Sequence, residues 1–285
     1  MNEDLKRKIE NYIQKMPSLP TSVVKVLEVC NNPRTSPADL NYVISLDPVL
    51  TGRVLNLINS AYYSLTQQVT TLVRAIIMLG LNTVKNLALS TAVLENLMSK
   101  SSAGGINMED FWRHSLGVGV ASKILAKNRG INSKWLEEYF TAGLLHDIGK
   151  IPLNTVTPES YAITIRAASA KQIPLIKAED MLLGMNHCIC GEQIVKAWKL
   201  QGPIGDAIIY HHAGAGYSGP NRDLLYNVAL ANYAVQQSKI GFAGDSCPEI
   251  DPETWDILKV KPGIAQSLVN MVTGEIEKAQ VFLKL

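Results

Sequence analysis

Ser22-Val23-Val24-Lys25-Val26-Leu27-Glu28-Val29-Cys30 runs into Asn31-Asn32-Pro33. Val23, Val26, Leu27 and Cys30 recur at i, i+3, i+4 and i+7, which lays apolar side chains along one face of a helix, and the Asn-Asn-Pro stretch stops it. The same rhythm continues outward. Ser36-Pro37-Ala38-Asp39 offers an N-cap, a first-turn proline and an acid three residues on, and Leu40, Val43 and Ile44 repeat the stripe until Asp47-Pro48 interrupts it. Asp47 caps a helix over 49–58, and the pattern resumes over 72–79 and 82–98. Residues 99–105, rich in Ser and Gly, read as a flexible break between two lobes. Beyond it, 108–127, 133–146, 158–171, 176–183, 186–198, 203–212 and 223–238 all read as helices. After a loop over 241–247, so do 252–260 and 264–283. Strand-like alternation is nowhere sustained, and the chain is expected to be all-α. The lobes are placed at 1–105 and 106–240, with 241–285 a helical extension that packs on the core.

Hydrophobic residues make up 47% of the 285 and charged ones 18%, enough to bury a sizeable core without a disordered tract. With 27 basic against 25 acidic residues there is no broad field for a polyanion. Apolar runs break before the ~18 residues a membrane span needs, and the charged start Met1-Asn2-Glu3-Asp4-Leu5-Lys6 lacks a signal-peptide core. A cytoplasmic protein without membrane contact is expected. Cys30, Cys188, Cys190 and Cys247 have no disulfide rhythm and read as reduced thiols. Thiolate ligation from Cys188-Ile189-Cys190 is the lesser alternative, because a spacing of two points side chains to different helix faces.

Every histidine of the chain can be read into one constellation: His114, His146, His187, His211 and His212. A single histidine is usually a packing or hydrogen-bonding residue. Five of them, with an adjacent pair and a His-Asp dyad closing an apolar run, favour a metal site of the imidazole and carboxylate kind that suits Fe, Mn, Zn or Ni. Asp110 precedes His114 by four residues, which places both on one helix face. His146 and Asp147 end Ala142-Gly143-Leu144-Leu145, and Gly149 marks a helix terminus, so the dyad is expected at the mouth of a core rather than inside it. Asp147 is suited to bridging two ions. Ligands would converge from the ends and faces of four helices.

Other features carry less. Residues 36–59 can be drawn as two short helices resembling a helix-turn-helix, yet the second offers only Arg53 as a cation, so nucleic-acid binding is not expected. Asn59-Ser60-Ala61 reads as a helix terminus before it reads as a contact. The stripe Leu258, Ile264, Leu268, Met271, Val272 and Ile276 covers the core or, as the second choice, forms a homodimer seam.

Leu144-Leu145-His146-Asp147-Ile148-Gly149-Lys150 resembles the signature of the HD metal-dependent phosphohydrolase superfamily, especially its HD-GYP branch. Met16-Pro17-Ser18-Leu19-Pro20, Ile44-Ser45-Leu46-Asp47-Pro48-Val49-Leu50, Asn59-Ser60-Ala61 and Arg74-Ala75-Ile76-Ile77-Met78-Leu79-Gly80 follow in the order of the HDOD family, the HD-related output domain. That resemblance covers most of residues 17–235. It implies a two-lobed, all-helical bacterial signalling module with an HD-like helical bundle, a class whose members have commonly lost the catalytic HD residues. Here fewer are lost. The resemblance makes His114, His146, Asp147, His187, His211 and His212 ligands of one or two divalent ions, Fe or Mn ahead of Zn or Ni, with Asp110 as an acidic ligand. In a hydrolase, Asp147 and Lys150 would be catalytic, Lys150 facing a phosphate; its alternative is a solvated lysine. The family's closing aspartate is Asn232 here, Ala213 replaces an acid, and Gly216-Tyr217-Ser218-Gly219-Pro220 only partly resembles the Gly-Tyr-Pro motif. The expected function is an output module that binds a signalling partner or a small phosphorylated ligand. The alternative is a phosphohydrolase acting on a nucleotide or cyclic dinucleotide.

Overall fold

The computed structural model describes residues 3–98, 105–212 and 216–284, and among them the regular structure is helical, with no strand. Residues 3–98 hold α1 (Glu3–Lys15), α2 (Thr21–Cys30), α3 (Pro37–Ser45), α4 (Pro48–Ile58), α5 (Leu72–Leu79) and α6 (Leu81–Leu97). Local chemistry sets these ends. Ser36 and Asp39 form a reciprocal capping box at α3. Asp47 accepts from the Leu50 amide at 2.9 Å to start α4 and from the Ser22 hydroxyl at 2.7 Å, tying α4 to α2. Asn59 ends α4 and its amide bonds both the nitrogen and the oxygen of Val69, at 2.7 and 2.8 Å, so it closes the intervening loop as a structural residue.

Residues 105–284 hold α7 (Met108–Asn128), α8 (Leu136–Leu145), α9 (Lys150–Val156), α10 (Pro158–Lys171), α11 (Leu175–Leu182), α12 (His187–Trp198), α13 (Pro203–Tyr210), α14 (Arg222–Ser238), α15 (Thr254–Leu258) and α16 (Ile264–Ala279). Helices α1 and α9 are additions to the expected set. The spacing in α1 was masked by its charged composition, yet Ile9 and Ile13 are buried and the helix crosses onto α9 and α12. Helix α9 is short and holds Pro152 in its first turn, where a missing N–H breaks no helical bond. The expected break at 99–105 lies, apart from Gly105, outside the described residues.

Helix α6 packs on α2, α4 and α5 and also on α8, and the Ser90 and Thr141 hydroxyls meet at 3.1 Å in the buried seam with α8. Leu258, Leu268, Val272 and Ile276 are buried, and α16 lies on α7 and α14, so the C-terminal stripe covers the core of its own chain. Arg129 fastens this extension, with its guanidinium on Asp223, Asn227 and the Leu258 carbonyl. No single helix among the described residues is long and apolar enough to cross a membrane; α5 and α6 reach that length only together and are bent by 118°.

Helices α7 and α8 are in backbone contact, which fixes where the site can form. A Cβ on Gly143 would stand 2.7 Å from the Val118 carbonyl oxygen, and one on Gly119 would stand 2.9 Å from that of Phe140. Neither neighbour can yield, because each is main chain inside a helix. Gly143→Val is therefore expected to cost about 1–3 kcal/mol as overpacking, read as a lower urea midpoint at unchanged slope. An unchanged midpoint would mean that the two helices have room between them.

Candidate metal centre

The helices around the site deliver their donors by different devices. Helix α7 is capped by Asn107, which accepts from the Glu109 and Asp110 amides, and two turns later it carries His114 inward. Helix α8 ends into His146 and Asp147, which are fully buried. The expected position at a mouth is thus corrected: α12 and α13 close over the dyad. Gly149 permits this, since a Cβ there would lie 1.9 Å from the His187 carbonyl oxygen. Asn186 caps α12 through the Ile189 amide at 3.0 Å and sets His187 in its first turn. His211 and His212 follow the end of α13, and Asn232 comes from α14.

The side chains meet around Asp147. Its Oδ2 is 3.2 Å from His146 Nε2 and 2.7 Å from Lys150 Nζ, while its Oδ1 is 3.4 Å from His211 Nε2 and 3.6 Å from His187 Nε2. The donors fall into two groups that share Asp147. One joins it to His187, His211 and His212, the other to His114 and His146, with ligand atoms within 4.8 Å of one another in each. His212 is the exposed member of the first group. Its ring centroid is 4.3 Å from that of His211 and 5.1 Å from that of His187.

The outer ring nitrogens are already committed. His146 Nδ1 lies 2.7 Å from the Gly143 carbonyl and His211 Nδ1 lies 2.9 Å from the Ala207 carbonyl. A carbonyl only accepts, so Nδ1 carries the proton in both rings and Nε2 is left as the inward-facing lone pair. His187 donates from Nδ1 to Glu179 Oε2 at 2.6 Å, and its backbone amide donates to the same oxygen at 3.0 Å. Tyr161 donates its hydroxyl to Glu179 Oε1 at 2.7 Å. This carboxylate–histidine arrangement fixes ring orientation and raises donor strength. Glu179 and Tyr161 are the residues that sequence reasoning missed; a glutamate eight residues before a histidine carries no pattern of its own.

Inside the ring, His114 Nε2, His146 Nε2, Asp147 Oδ1 and Asn232 Oδ1 are buried without a hydrogen-bond partner. Orphaned buried acceptors are costly, at about 1–3 kcal/mol each, and four in one place are what a cation would satisfy. The residues present therefore fit one or two divalent ions. Burial lowers His114 to about 3 and His211 to about 4. Both rings are thus neutral, as ligation requires. Burial would push Asp147 up, but the surrounding imidazoles and the Lys150 ammonium hold it well below the usual carboxylate range. Burial likewise opposes the charge of His187, and the Glu179 carboxylate and Cys188 overcome it and raise the ring to about 10.

Asp110 stands apart from the cluster, whereas Lys150 lies within it. Asp110 is exposed in the first turn of α7 and lies outside both donor groups, where its charge complements the helix N-terminus. Lys150 is neither solvated nor open to the surface: it is buried against Asp147. Cys188 and Cys190 are free thiols outside the donor groups. Of the altered loop after the histidine pair, 213–215 lie outside the described residues. Tyr217 is anchored by donating its hydroxyl to Asp206 Oδ2 at 2.5 Å.

The profile of the HDOD domain matches residues 16–214, well over half of the chain. The chain belongs to the HDOD family. The solved HDOD domain protein of unknown function from Geobacter sulfurreducens is 25% identical, with a TM-score of 0.77 over 98% of this chain and 96% of that one. A Shewanella amazonensis protein named as an inferred phosphohydrolase shares the fold at 24% identity and a TM-score of 0.68, covering 96% and 98% of the two chains. An uncharacterized Treponema pallidum (strain Nichols) protein is 24% identical over 228 residues, and the chain spans 44% of that relative's length. In this HDOD protein the matched residues include all five histidines and Asp147, whereas Asn232 and the segment 245–252 lie beyond them.

With metal removed, the pKa directions predict a stability maximum near pH 6.5. Unfolded histidines titrate near 6.5, but His114 and His211 stay neutral in the fold down to about 3 and 4, so the unfolded chain binds more protons below pH 6.5 and stability falls as pH drops. His187, protonated in the fold up to about 10, acts in the opposite sense, and its contribution is lost as pH rises above 6.5. Urea midpoints of chelator-stripped protein at pH 5, 6.5 and 9 check this. A midpoint rising steadily across the series would contradict it.

Proposed function

We propose that this HDOD protein is a bacterial signal-transduction output module that retains an HD-type site for one or two divalent cations and binds a signalling partner or a small phosphorylated ligand. The observation that carries the reading is the set of inward-facing, partnerless donors around Asp147. His114, His146 and Asp147 would hold one ion, and Asp147, His187, His211 and His212 the other. Fe or Mn suits this mixture of imidazole and carboxylate, and Zn or Ni is the alternative.

One observation favours a second reading, phosphoester hydrolysis. A cavity of about 430 Å³ opens beside His211, His212 and Asn232, so a small substrate has room next to the donors. Bound metal would supply Lewis acidity toward a phosphoryl oxygen. Within the chain, Lys150 neutralises Asp147 and can turn to an entering anion once Asp147 is otherwise engaged, while Glu179 keeps the His187 ring in place. Asn232 weakens this reading, because an amide oxygen gives a cation less charge than a carboxylate.

Protein purified without chelator is expected to carry about one to two equivalents of Fe or Mn per chain, and Asp147→Ala to carry almost none. Turnover of an aryl phosphodiester is expected to be weak, and Asn232→Asp to raise it roughly ten-fold or more. Metal without turnover in either form supports the output module alone, metal with turnover supports the hydrolase, and absence of metal contradicts both.

A further inference from the structure

The wall of the cavity beside the candidate metal centre is acidic and aromatic rather than basic. Its lining takes in Asp245, Glu249 and Asp251 from the segment after α14, and Tyr210, Tyr226 and Tyr233 from α13 and α14. Lys177 is the one lysine or arginine among the described lining residues, and both Glu249 oxygens hold its ammonium, at 2.9 and 3.0 Å. Arg222, outside the lining, is held over the Tyr226 ring and by Glu253. The wall thus presents net negative charge next to tyrosine rings, surroundings in which carboxylates and π-faces both attract a cation. An independent feature at the same cavity marks it as a place for a ligand: Asn232 is 6% exposed, lines the space, and its Oδ1 has no partner.

The two parts of the lining ask for opposite charges. Cations at the histidine side would draw a phosphate, whereas the wall from 245 to 252 would repel a second phosphate and attract an ammonium group. At about 430 Å³ the space is at the small end of ligand pockets, which run from roughly 300 to 1,000 Å³. We infer that the cavity takes a small zwitterionic phosphoester, its phosphate beside His211, His212 and Asn232 and its amine or quaternary ammonium group against Asp245, Glu249 and Asp251. A polyanionic nucleotide is the wrong charge for this wall. The acidic segment lies beyond the residues that match the family profile. The inference rests on the proposed metal site for the phosphate end.

Calorimetric titration of the metal-loaded full chain tests it with three probes: phosphocholine, its uncharged isostere 3,3-dimethylbutyl phosphate, and inorganic phosphate. Phosphocholine is expected to bind roughly ten-fold tighter than the isostere. The double substitution Glu249→Gln and Asp251→Asn should reduce that preference to about two-fold or less while leaving inorganic phosphate unchanged. Glu249 is exposed, and an Asn side chain at 251 can still accept the Glu253 amide that Asp251 accepts at 2.9 Å, so folding is preserved and circular dichroism verifies it. Equal affinity for the charged probe and its isostere, or a preference that survives the double substitution, overturns the inference. Metal content is measured on the same samples. Metal and phosphate bound without a cation preference overturn the charge assignment alone, while a chain without metal overturns the proposed metal site and this inference together.

Discussion

The interior formed by α7, α8 and α12–α14 is organised by one constraint, the burial of the Asp147 carboxylate. A fully buried charge costs several kcal/mol unless it is paired and hydrogen-bonded, and here Lys150 and three imidazoles surround it. This arrangement compensates the charge only in part, because Asp147 Oδ1 and the Nε2 atoms of His114 and His146 remain partnerless. An apolar core would satisfy packing at lower cost. Retaining this cluster makes physical sense when something of positive charge completes it.

That constraint explains features that otherwise look unrelated. Gly143 and Gly119 let α7 and α8 touch, which brings His114 toward His146; their ring centroids are 5.9 Å apart. Gly149 lets the start of α12 settle on the dyad, so His187 and Glu179 arrive together. The carbonyls of Gly143 and Ala207 then lock two rings in the tautomer that faces inward. Helices α1–α6 contribute no member to either donor group among the described residues. Through α6 and the α1 crossover they brace the helices that do.

Much of this was legible in the chain. Apolar spacing gave most helix ranges to within a residue or two, since α2, α3 and α4 each have a stripe of their own and α3 and α4 a side-chain cap as well. The histidines were legible because all five serve one cluster, and the HD dyad was a local motif. What stayed hidden depends on three-dimensional closure. The depth of Asp147 is set by α12 and α13, which are remote in sequence. Spacing put Asp110 on the His114 face, but α7 begins at Met108, so its carboxylate ends in an exposed first turn. Glu179 and the acidic wall carry no motif, because their roles come from packing against His187 and from the path taken after α14.

Anomalous X-ray diffraction at the metal absorption edge, on crystals grown with Mn and without chelator, tests the central claim most directly. The account predicts one or two peaks within about 2.0–2.3 Å of Asp147 and of imidazole Nε2 atoms, with Lys150 displaced from Oδ2. A map without anomalous density at this cluster, with Lys150 still on Asp147, would contradict it and leave a buried polar network as the whole of the site.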